Sequence, residues 1–132
     1  MGSYQVEYTK ISQAEAYVAL GKWDEAVKSY MVLIREYLIE RDEDPNSVWY
    51  IGLSRALFEL HKYEEAIEFG NTAILLNRSC DGVHRYVALS QKALGDIDEA
   101  KKTMSRAILY EEHWEKDNMQ KNKELLRELN NL

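Results

Sequence analysis

Cys80 and His84 are the side chains whose types and spacing come nearest to chemistry. Four residues apart, a thiolate and an imidazole share one helix face and could ligate a metal ion. Two ligands do not close a site, and the other histidines, His61 and His113, are distant in sequence. As a nucleophile, Cys80 has His84 as a candidate base and no third residue to orient it. A packed or exposed pair is the simpler reading, so no metal and no cofactor is expected. Acid pairs recur at Asp24-Glu25, Glu64-Glu65 and Asp98-Glu99. Paired carboxylates can serve general acid–base catalysis. Their return at the start of successive helical patterns is better explained by the positive end of the helix dipole. No glycine-rich phosphate loop and no GxSxG, HExxH or Walker pattern occurs, so the chain is not expected to be an enzyme.

The acid pairs belong to a longer pattern that returns three times, as GKWDEAVKSY at 21–30, HKYEEAIEFG at 61–70 and GDIDEAKKTM at 95–104. Each copy has a turn-like start, a large apolar residue (Trp23, Tyr63, Ile97), two acids and an alanine (Ala26, Ala66, Ala100). The last two alanines are 34 residues apart and the first two are 40 apart. A period of this size marks a stack of helical hairpins, none able to bury its apolar face alone. Apolar residues recur at three- and four-residue spacing, and no stretch alternates with period two. Seven helices are predicted, at about 4–20, 24–41, 45–60, 63–76, 80–94, 97–111 and 117–130. Gly21 and Gly95 close the first and fifth, and His61-Lys62 makes a tight turn. Asp44 is the expected cap of the third, with Pro45 its first residue, and Asp81 or Ser79 the cap of the fifth. The last helix places Met119, Leu125, Leu126 and Leu129 on one side and is otherwise polar, as a helix closing the open end of a stack would be.

With 132 residues, 45% hydrophobic and 30% charged, a single globular domain is expected. The net charge of −6 argues against nucleic acid and against an anionic membrane surface as partners. Apolar runs reach only four or five residues, so no membrane insertion is expected. One cysteine forms no internal disulfide, which fits a reducing, cytoplasmic setting. Met1-Gly2-Ser3 reads as an expression remnant, with the domain at 4–132. Nine tyrosines and three tryptophans suit helix packing and protein contact surfaces alike.

The three copies resemble tetratricopeptide repeats, helix–turn–helix units of 34 residues. The units would lie at about 7–40, 47–80 and 81–114, followed by the capping helix. Unit two carries Tyr50, Leu53, Leu57, Tyr63 and Ala66 at the family's large and small positions; unit three carries Val87, Ala88, Ile97, Ala100 and Ala107; unit one carries Ala14, Tyr17, Gly21, Trp23, Ala26 and Tyr30. Departures are Ser54 at a position usually Gly or Ala, Gly70 where an aromatic is usual, no closing proline, and six extra residues after unit one. The resemblance implies an all-α, right-handed superhelical stack of antiparallel helix pairs, an α-solenoid.

In this family the first helices of successive units line a concave groove that holds a partner. The resemblance places Tyr8, Ile11, Ser12 and Glu15 there, then Val48, Ile51, Gly52, Arg55 and Phe58, then Arg85, Tyr86, Leu89 and Lys92. The set suits a peptide with apolar anchors and an acidic feature near Arg55 or Arg85. Packing between neighbouring hairpins would explain the same apolar residues. One subgroup of the family holds the C-terminal carboxylate of heat-shock chaperones through Lys, Asn and Arg. The corresponding positions are Ile11, Glu15, Gly52, Gly82 and Tyr86. None matches, so that carboxylate clamp is not expected. The expected function is a protein–protein interaction adaptor. The alternatives are a self-associating structural domain and a regulatory or targeting domain of a larger protein.

Overall fold

The computed structural model describes residues 3–78, 82–110 and 116–132, with side chains from residue 8 onward and that of residue 116 excepted. Seven α-helices form among these residues: α1 (Ser3–Ala19), α2 (Trp23–Arg35), α3 (Ser47–Glu59), α4 (Tyr63–Leu76), α5 (Val83–Ala93), α6 (Ile97–Tyr110) and α7 (Lys116–Asn130). Three hairpin turns share one device. Gly21, His61 and Gly95 stand in the left-handed region, with φ of 70°, 61° and 84°. This bends the chain so that the N–H of the next residue reaches back, as Lys22 does to the Tyr17 carbonyl and Lys62 to that of Leu57. His61 takes a conformation that favours glycine, and its Nδ1 lies 2.5 Å from the Tyr63 hydroxyl.

The extra residues after the first pair are absorbed in two ways. The α2 helix runs on through a π-helical turn, Glu36–Glu40, closed by a bond from Arg41 N–H to the Glu36 carbonyl. Asp42 then adopts a φ of 49°. In this turn Tyr37 meets buried Trp49 in a T-shaped contact, with ring centres 4.7 Å apart, and the Arg41 guanidinium stands over the Tyr37 ring at 4.5 Å. The expected start of α3 needs correction. Asn46, not Asp44, is the cap: its Oδ1 accepts from Val48 N–H at 3.0 Å. Pro45 therefore precedes the helix, buried, instead of opening it. The N-terminus of α5 begins at Val83, after Gly82 with φ 80°; the expected caps Ser79 and Asp81 lie outside the described residues.

Each helix packs on the next, and α3 also touches α5 and α1. The first helices of the pairs thus lie side by side, so that α1, α3 and α5 form one layer, here called the inner layer. The alanines at Ala14, Ala26, Ala66, Ala88, Ala100 and Ala107 are fully buried, which lets backbones approach. The departures in unit two compensate one another. Ser54 donates to the Ala66 carbonyl at 2.7 Å, and Val87 and Ser54 occupy the space beside Gly70 that an aromatic would fill. The buried residues form two clusters. One runs from Ala14 to Val83; the other joins Ala88, Ala100, Met104 and Ala107 to Leu125 and Leu129 of α7.

Candidate functional site

The inner layer is built around Arg55. Its position in the second half of α3 points the guanidinium toward both neighbours, 5.5 Å from the Trp23 ring of α2 and 5.9 Å from the Tyr86 ring of α5. Stacked cations of this kind are held by the ring quadrupole with little hydration lost from the edge. Arg55 makes no ion pair among the described residues, and its Nε is buried without a hydrogen-bond partner. Tyr86 also packs on Phe58, with ring centres 5.7 Å apart, and Phe58 on Tyr63. A continuous aromatic patch therefore links units two and three.

Tyr30 reaches this layer from α2 because Gly52 has no side chain to exclude it. Burial pushes the Tyr30 phenol above its usual range; the Glu15 carboxylate adds to the rise and Arg55 opposes it. The phenol therefore lies within the field of both charges. Arg85, one turn into α5, donates to Asn118 Oδ1 of α7 at 3.4 Å, while its Nη1 is buried without a partner.

The remaining residues expected in the groove divide. Tyr8 and Val48 are 72% and 52% exposed, and Glu15 is exposed. Ile11, Ile51 and Phe58 are half-buried against the first core cluster, and Leu89 against the second. They pack between hairpins and still show a face. Two residues of this layer, Trp23 and Tyr30, were not expected in it. The signal for Tyr30 is Gly52, a glycine inside a helix, which marks a close approach.

Among the described residues no three His, Cys, Asp or Glu side chains cluster as a metal site would require. His84 is buried; Cys80 and His113 lie outside the described residues. No described helix is long and apolar enough to cross a membrane.

Residues 12–37 and 86–110 match the family profile described as Tetratricopeptide repeat. Those two segments carry the tetratricopeptide repeat pattern. Solved repeat domains share its fold. The first repeat domain of Spaghetti (RPAP3), bound to the HSP90 peptide SRMEEVD, is 26% identical, with a TM-score of 0.75 over 96% of this chain and 94% of that one. The TPR2B domain of yeast Sti1, in a pHsp70 complex, is 20% identical with a TM-score of 0.82, covering 95% and 96%. PcrH, a Pseudomonas aeruginosa protein, in complex with the chaperone binding region of PopD, is 18% identical with a TM-score of 0.84, covering 98% and 94%. No curated protein sequence matches this chain. Within this helical stack Arg55 and Phe58 lie on α3 and Tyr86 on α5.

Proposed function

We propose that this chain is a protein–protein interaction module that holds a segment of a partner along α1, α3 and α5, without catalysis of its own. The observation that carries the reading is Arg55, a guanidinium ringed by Trp23 and Tyr86 and paired with no acid among the described residues. A carboxylate or carbonyl oxygen of a partner would supply the acceptor it lacks, through bonds a planar fork makes well. The half-exposed faces of Ile51 and Leu89 and the exposed Val48 would take apolar anchors. Three structural relatives were solved with a peptide or protein segment bound, which supports a binding role for this fold. Ile11, Glu15, Gly52, Gly82 and Tyr86 stand where the chaperone-carboxylate clamp would need its Lys, Asn and Arg. We therefore place the ligand oxygen at Arg55 and Arg85 instead. A lone cysteine suits a reducing compartment such as the cytoplasm.

A peptide array that varies acidic, basic and apolar residues tests the reading. The full chain should bind spots combining acidic and apolar residues. Arg55→Glu with Arg85→Glu should abolish that binding with helical circular dichroism intact. Unchanged spots would place the binding face elsewhere.

A further inference from the structure

The charges of the inner layer are sorted by unit. Glu15 on α1 is an exposed acid that forms no ion pair among the described residues. Arg55 on α3 faces two rings and no acid. Glu15 and Arg55 form no ion pair with each other, although α1 touches α3 and the Tyr30 hydroxyl, seated against Gly52 of α3, feels both charges. The layer thus presents an exposed acid on α1 and a guanidinium on α3, the helix it touches.

We propose, resting on the binding reading above, that the partner segment is itself dipolar, with a basic residue over Glu15 and an acidic residue over Arg55. Three arguments carry this. Arg55 Nε is buried with no acceptor, and such a group costs free energy until one arrives. A purely acidic segment long enough to cross from α3 to α1 would meet Glu15, and like charges brought together at an interface disfavour the complex. A purely basic one would meet Arg55 in the same way. The spacing follows from the stack. Packed helices lie about 8–10 Å apart and an extended chain advances about 3.3 Å per residue, so the base and the acid should stand about three residues apart. The preferred ligand is then nearly neutral across this segment, despite the acceptor-hungry arginines.

A phage-displayed random dodecapeptide library, selected on the full chain, tests the idea. The enriched pool should carry a base and an acid about two to four residues apart. A peptide from that pool should bind Glu15→Lys at least about tenfold more weakly, and replacing its basic residue by Glu should restore binding to that variant. Arg55→Gln, which keeps a planar amide between the rings, should lose discrimination at the acid alone. A pool of acidic peptides without a paired base, or equal binding to Glu15→Lys, overturns the proposal. A benzophenone-bearing version of an enriched peptide separates this from failure of the binding reading. Crosslinks to α1, α3 and α5 with no charge pairing sink only the dipolar ligand; crosslinks to the outer faces of α2, α4 and α6 sink both.

Discussion

Tyr30 of α2 lies across Gly52 of α3 so closely that a β-carbon on Gly52 would fall inside the contact distance of the phenol ring. The ring is buried. Gly52→Ala should therefore destabilise by about 1–3 kcal/mol through overpacking. In a Tyr30→Ala background the same substitution should cost almost nothing. Urea unfolding of the four chains in the cycle measures the coupling; additive losses would mean that the two residues do not meet.

The buried alanines of α4 and α6 give a related expectation. Ala66 and Ala100 are fully buried at helix contacts, and Ala66 also lends its carbonyl to Ser54. Ala66→Leu and Ala100→Leu should each lose about 1–3 kcal/mol or more. Thermal melts indistinguishable from wild type would show that the helices do not approach closely there.

The final helix should be needed for stability. Leu129 is fully buried and Leu125 nearly so, against Ala88, Ala100, Met104 and Ala107. Leu129→Ala should cost about 2–5 kcal/mol. A chain ending at Tyr110 should aggregate or melt at much lower temperature. A truncated chain that stays monomeric with an unchanged melting temperature would free α7 for a partner-binding role.

Alkaline pH should weaken the fold through Tyr30. Its folded-state pKa lies above the ordinary value of 10.0, first because of burial and then because of Glu15. The folded state therefore holds the phenolic proton more tightly than the unfolded chain. The stability this represents is complete below about pH 10 and is lost as pH rises through the folded pKa. Tyr50, raised by burial and by Asp44, adds to the same limb. Tyr30→Phe keeps the ring and removes the proton, so its urea midpoint should fall less steeply between about pH 9 and 11. A slope equal to that of wild type would refute the assignment.

The hairpin pattern was legible in the sequence because repetition amplifies it. Trp23, Tyr63 and Ile97 each open a helix two residues after a left-handed turn residue. The ends of helices were less legible. Asp44-Pro45 reads as a cap and first residue, yet Asn46 has the shorter route to Val48 N–H, and a difference of two residues is settled by side-chain reach alone. The π-helical turn left no local mark, since Glu36–Glu40 has the composition of an ordinary helix. Its Tyr37 packs against Trp49, twelve residues on, a contact that no local pattern announces. The same holds at the site. Arg55 could be placed on the inner layer from the repeat, whereas its stacking on Trp23 and Tyr86 depends on three helices meeting.

The two buried clusters divide within α5: Val83 belongs to the first and Ala88 to the second. One helix therefore contributes to both clusters, in an architecture where each helix pair is stabilised by its neighbours. Local opening of the second cluster should expose α6 and α7 to amide exchange while α1 to α4 stay protected. Arg55 and Phe58 reach Tyr86 across that boundary, so a ligand clasped there would lock the clusters together and make the whole chain melt as one.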